Sequence, residues 1–208
     1  MNLTEKREIL KKIYSPVGFL LYKLHIPPNV ITLFSLLAGT LSALFYYYEN
    51  LITAVLFLFI SGLLDLCDGI VARLSGKTTK FGAVFDWIAD KWVDGIVLGI
   101  IGYLYADPFV ATLAVTTSLL HSFIKPVVYS EIGYQVRIKG KIQDPLESIG
   151  FFGRPETHLT LIFFTILEKL NAPIGLNFGI KLITFLTFLS LLTRIIYLYK
   201  NFGESYDE

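Results

Sequence analysis

Four aspartates stand inside stretches that are otherwise apolar enough to cross a bilayer, and they constrain any fold of this chain. Asp65, Asp68, Asp86 and Asp90 lie close together in the sequence. An ionisable side chain at membrane depth is costly, so it faces the bundle interior and marks a functional site by default. On a helix, positions three and four apart share a face. Asp65, Asp68, Gly69, Ala72 and Arg73 therefore line one stripe of one helix, and Gly82, Asp86 and Asp90 line one stripe of the next. If the stripes face each other, four carboxylates meet in one small volume. Such charges stay ionised together only with something positive among them. An all-oxygen donor set suits Mg2+, Mn2+ or Ca2+ rather than Zn2+. Gly69, Ala72 and Gly82 keep both faces thin, so a helix or a ligand can come near.

Composition agrees with membrane burial. Of the 208 residues, 54% are hydrophobic and 17% charged, against about 25% charged in a soluble domain. Mean hydropathy is +0.61. The length suits roughly five to seven spanning helices of about 20 residues, so one compact transmembrane domain is expected, without a sizeable soluble partner domain. A net charge of +1 gives no reason to expect nucleic acid. Cys67 is the one cysteine, which excludes an internal disulfide; it reads as a small buried hydrophobe. Met1 to Lys12 is charged, unlike a cleaved signal peptide.

The expected fold is all-α and integral to the membrane, with six transmembrane helices and an N-terminal amphipathic surface helix. Residues 1–24 alternate Lys6, Arg7, Lys11 and Lys12 with Leu3, Ile9, Leu10 and Ile13, which suits a helix lying on the bilayer surface. Residues 25–200 form the six-helix domain and 201–208 a frayed tail. Pro27-Pro28 breaks the first helix, and Asn29 is expected to cap the next. The spans are expected at about 30–48, 51–74, 82–105, 109–129, 155–170 and 176–199. The segment from 130 to about 153 is expected to be a polar loop.

The spacing Asp-x2-Asp-Gly-x2-Ala-Arg-x8-Gly-x3-Asp-x3-Asp, complete from Asp65 to Asp90, resembles the signature of the CDP-alcohol phosphotransferase family. Eight fixed residues at fixed spacing make this a specific match, and no position is missing, which argues against a catalytically dead scaffold. The resemblance implies a membrane enzyme that moves a phosphatidyl-type group from a CDP-linked lipid to an alcohol and releases CMP. It implies that Asp65, Asp68, Asp86 and Asp90 hold metal, with two Mg2+ or Mn2+ ions, and that Asp90 is the general base. It implies donor contacts from Gly69, Arg73 and Thr79. Asn29, Val30, Ile31 and Thr32, in Pro28-Asn29-Val30-Ile31-Thr32, resemble a further donor-holding motif. A homodimer is also implied.

Arg154-Pro155-Glu156 resembles the opening of the fifth span in the branch that uses inositol 1-phosphate. That branch usually has Arg after the Glu and another Arg two residues past a tyrosine ending span four; here Thr157 and Glu131 stand in those places. Lys125, Arg137 and Arg154 are the candidate ligands of an acceptor phosphate. Glycerol phosphate is the alternative acceptor. Asp94 with Lys91 reads as a structural ion pair, and His25, His121 and His158 as interface or core residues.

Six spans put both termini on one side, together with most of the Lys and Arg residues, and positively charged loops stay in the cytoplasm. The active site and both termini are thus expected to face the cytosol, at the cell membrane. Carboxylates in a membrane also serve ion-coupled transporters. That reading predicts midplane acids, broken helices and an inverted repeat, whereas these acids stand near helix ends and the chain shows no repeat.

Overall fold

The computed structural model describes residues 7–132, 137–138, 141–142, 146 and 149–203, with backbone alone for 7–13, 137–138 and 141–142. Seven helices form the described chain: α1 (Arg7–Lys23), α2 (Pro28–Tyr47), α3 (Leu51–Leu74), α4 (Lys80–Tyr105), α5 (Pro108–Glu131), α6 (Arg154–Lys169) and α7 (Leu176–Phe202). Between α5 and α6 the expected loop holds two short strands, β1 (Arg137–Ile138) and β2 (Lys141–Ile142), paired antiparallel.

Local chemistry sets the helix ends. Asn50, Thr79 and Asp107 accept hydrogen bonds from the first free N–H groups of α3, α4 and α5. His25, Glu49 and Asn171 take the left-handed backbone conformation just after α1, α2 and α6. One expectation fails here. Asn29 does not cap α2: Pro27 holds the cap position, Pro28 opens the helix, and no side chain makes a cap bond. Proline at the first helical position has its φ already set and lacks the N–H that a cap would satisfy, so Asn29 is carried inside the first turn.

Short turns make α2 to α5, and α6 and α7, successively antiparallel, and the longer segment from α5 to α6 returns to the end where α5 stops. As a result α2, α4 and α6 begin, and α3, α5 and α7 end, at the same end of the bundle. Cross-helix bonds at that end include Thr32 to Asp68, Arg154 to Asp65 and His121 to Ser190. The core below it runs through Leu58, Val97, Ile101, Leu161, Ile180 and Ile183. Buried hydroxyls tie the helices together where water is excluded. Ser35 donates to the Ser61 carbonyl and Ser61 to the Ser35 carbonyl, at 2.8 and 2.9 Å. Ser42 donates to the Ala54 carbonyl at 2.8 Å, and the Tyr46 hydroxyl meets Thr165 Oγ1 at 2.7 Å. Helix α1 packs on α3 through Tyr14, Cys67 and Ile70, and Cys67 is fully buried, as a small hydrophobe should be.

Four helices, α2, α3, α5 and α7, are long and apolar enough to cross a membrane. Two of the six expected spans fall short by this measure. Helix α4 carries Asp86, Asp90, Lys91 and Asp94, and α6 has 16 residues. Phe34, Phe59, Trp92, Phe123 and Phe185 are exposed on the outside of the bundle, an apolar surface suited to lipid rather than water.

Helices α4 and α5 touch backbone to backbone at Gly102, where an added Cβ would lie 2.6 Å from Ala111 Cα. Gly102→Ala is expected to force the two apart and destabilise the fold by about 1–3 kcal/mol, read as a lower unfolding temperature in detergent.

Candidate active site

Asp65, Asp86 and Asp90 each offer a carboxylate oxygen, and these three atoms all lie within 4.8 Å of one another. The motif spacing produces this. Asp86 and Asp90 are one turn apart on α4, and Asp65 meets them from α3. Asp65 lies nine residues inside the C-terminal end of α3, and Asp90 ten residues inside the start of α4. At 1.5 Å per residue the centre is recessed by about 14 Å, deeper than the outermost turn.

Arg154, in the first turn of α6, supplies the positive charge such a centre needs. One terminal nitrogen lies 2.6 Å from Asp65 Oδ2 and 2.5 Å from Asp90 Oδ1. Its Nε lies 3.1 Å from Asp94 Oδ1. A planar fork can reach several carboxylates at once, which a lysine ammonium does less well. Glu156 steadies the start of α6 by accepting the Gly153 N–H at 3.0 Å.

Asp94 is nearly closed to solvent and does more than the ion pair expected of it. Lys91 Nζ binds its Oδ2 at 2.7 Å, and Arg154 Nε and His158 Nε2 both approach its Oδ1. His158 therefore belongs beside the site and is not only the interface or core residue expected. The available signal was its position one turn after Arg154, on the same face of α6.

Asp68 stands slightly apart from the other three aspartates. It is buried, and its Oδ2 accepts a 2.6 Å hydrogen bond from Thr32. Thr32 thus lies beside the carboxylates. Asn29, one turn earlier, points its Oδ1 toward Gly82, 3.0 Å from where a Cβ would be. Between them the side chain of Val30 is exposed and that of Ile31 is in the core, at 1% exposure. Thr79 spends its hydroxyl on capping α4, through Gly82 N–H at 2.9 Å. Arg73 is exposed and folds back over Gly69, its guanidinium 3.2 Å from where a Cβ would stand. Lys125 is half-buried on α5, one turn beyond His121. The side chain of Arg137 lies outside the described residues.

The donor set fits a hard divalent cation. Among the described residues the clustered metal-ligating groups are all carboxylates, with no thiolate or imidazole among them.

Comparison with known proteins agrees with this arrangement. The sequence profile of the CDP-alcohol phosphatidyltransferase family matches residues 25–203. A phosphatidylinositol phosphate synthase of Corynebacterium glutamicum is 28% identical over 82% of this chain and 77% of its own. An archaetidylinositol phosphate synthase of Methanothermobacter thermautotrophicus is 24% identical over 96% of this chain and 95% of its own. In fold, the chain is similar to the crystal structure of Mycobacterium tuberculosis phosphatidylinositol phosphate synthase with CDP-DAG bound, with a TM-score of 0.71 at 22% identity, covering 92% of this chain and 96% of that one. The same mycobacterial protein has been solved in complex with manganese and citrate. With the signature complete, its aspartates converging and the profile spanning nearly the whole sequence, the chain belongs to the CDP-alcohol phosphatidyltransferase family.

Proposed function

We propose that this chain transfers a phosphatidyl-type group from a CDP-linked lipid to the hydroxyl of inositol 1-phosphate and releases CMP. The convergence of Asp65, Asp86 and Asp90 within 4.8 Å carries this reading. The names of two relatives, a phosphatidylinositol phosphate synthase and an archaetidylinositol phosphate synthase, favour inositol phosphate as the acceptor.

Asp65, Asp86 and Asp90, with Asp68 held by Thr32, are the proposed ligands of two Mg2+ or Mn2+ ions. When bound, such ions neutralise the pyrophosphate and stabilise the attacking and leaving oxygens. Asp90 accepts the proton of the acceptor hydroxyl as that oxygen bonds to the lipid-side phosphorus. The bond from that phosphorus to the CMP oxygen breaks, and CMP departs with the electron pair. No covalent enzyme intermediate is needed. Asn29, Thr32, Gly69, Arg73 and Thr79 flank the donor, with Val30 and Ile31 in the same turn of α2 as Asn29 and Thr32. Lys125, Arg137 and Arg154 are the cations proposed for the acceptor phosphate; Arg154 has its head group beside the reacting carboxylates.

In the proposed topology α2 to α7 all span the membrane. The charged groups of α4 turn inward to Lys91 and Arg154, while Phe81, Val84, Ile88 and Trp92 are exposed. Helix α6 is about 24 Å long and packs against α3 and α7. Helix α1 lies along the bilayer surface: Phe19 and Leu20 are exposed, and the Lys23 ammonium sits over the Phe19 ring at 4.8 Å. Both termini face the cytoplasm by the distribution of Lys and Arg. The protein acts as a homodimer.

The test is CMP release by purified protein with a CDP-lipid and Mg2+ or Mn2+, across a panel of acceptors. Turnover is expected with inositol 1-phosphate and not with free inositol or serine, and chelation with EDTA should stop it. Faster turnover with glycerol 3-phosphate would overturn the acceptor assignment. No CMP release with any alcohol would overturn the reaction.

A further inference from the structure

His121 on α5 and Ser190 and Arg194 on α7 form a buried polar group that the reaction above does not use. They are 6%, 0% and 5% exposed. Ser190 and Arg194 hold the backbone of residues 149–152. Ser190 Oγ accepts the N–H groups of Phe151 and Phe152 at 3.2 and 3.3 Å and lies 3.0 Å from His121 Nε2. The tautomer of the His121 ring sets the direction of that bond, and an Arg194 terminal nitrogen stands 3.4 Å from the other ring nitrogen, Nδ1. Arg194, one turn further on, donates from Nε to the Ile149 carbonyl at 3.0 Å and from a terminal nitrogen to the His121 carbonyl.

Gly150 shows how closely the segment is held. Its φ is 98°, in the region glycine favours, and a Cβ there would lie 2.8 Å from Ser190 Oγ and 3.1 Å from Arg194 Nε. The chain then runs through Gly153, the cap position of α6, directly into Arg154. The backbone that Ser190 grips thus ends two residues before the guanidinium that bridges Asp65 and Asp90.

We propose that Ser190, with His121 and Arg194 beside it, is a positioning residue that fixes where α6 begins and so aims Arg154 at the carboxylate centre. This rests on the function proposed above, since it gives the aim of Arg154 its consequence. Reacting groups misplaced by about 1 Å can cost about a hundredfold in rate, so a loosened grip has a measurable effect.

The experiment uses the full chain in lipid nanodiscs and the variant Ser190→Ala, with two readouts. Hydrogen exchange at the Phe151 and Phe152 amides is expected to quicken by about tenfold or more. CMP release is expected to lose about tenfold in kcat, with little change in KM for the CDP-lipid. Ser190→Thr keeps the hydroxyl and should recover most of both. In an Arg154→Lys background, Ser190→Ala should cost less than about twofold further, because both changes act through one group. His121→Phe removes the ring partner of Ser190 Oγ and carries the same expectation in both readouts. Unchanged amide exchange, or an equal rate loss with Arg154 and with Lys, overturns the proposal. If the unaltered protein releases no CMP, the functional reading fails while the exchange measurement still decides whether Ser190 holds the segment.

Discussion

Asp90→Asn is expected to cut CMP release by at least about a hundredfold, the scale of losing a positioned general base, while the protein remains folded. Asparagine keeps the shape and one acceptor oxygen of aspartate but cannot take a proton from the attacking hydroxyl. The fold tolerates the change because Arg154 keeps its bonds to Asp65 and Asp94. Mn2+ binding should survive in weakened form through Asp65 and Asp86, which share the cluster. Three measurements separate the roles: CMP release, Mn2+ binding by electron paramagnetic resonance, and thermal unfolding in detergent. Turnover within about threefold of the unaltered protein would remove Asp90 from the role of base. An unfolded variant would instead show that its charge is structural.

Much of the architecture was legible because bilayer spans are written in long apolar runs with local stop signals. The starts of α3 at Leu51 and α7 at Leu176 fall where the turn residues put them. The start of α2 was misread because two prolines did the work assigned to Asn29. The motif also encoded which aspartates share a helix face. It did not encode which atoms meet. Periodicity gives the face of one helix and says nothing about its partner, so the reach of Arg154 on α6 to Asp65, Asp90 and Asp94 was hidden. The same holds for Thr32 on Asp68 and for His158 beside Asp94. Asp94 was half legible. Its pairing with Lys91 is a local, one-turn contact and could be read; its contacts from α6 are long-range and could not.

Arg154→Met should be the most damaging single change to the fold as well as to turnover. Asp65, Asp90 and Asp94 all lean on one guanidinium, and their side chains are 20%, 23% and 3% exposed. Removing one partner of a buried ion pair strands the other charge, at a cost of about 3–5 kcal/mol. Here Asp65 and Asp90 lose a shared partner, while Asp94 keeps Lys91 at 2.7 Å, so a fall of about that size is expected in detergent unfolding, with CMP release down by more than about a hundredfold. Arg154→Lys separates charge from shape. It retains one positive charge, and so most of the stability, but an ammonium on a flexible stem lacks the planar fork that serves Asp94 from Nε and Asp65 and Asp90 from a terminal nitrogen. Its turnover should stay low while its unfolding temperature returns most of the way. The double variant Arg154→Met/Asp90→Asn distinguishes electrostatics from packing. Taking away one stranded carboxylate should recover stability relative to Arg154→Met alone, an interaction energy that independent sites do not show. If the double variant is instead less stable by the sum of the two single losses, Arg154 is a packing residue and its charge is not what holds α3, α4 and α6 together.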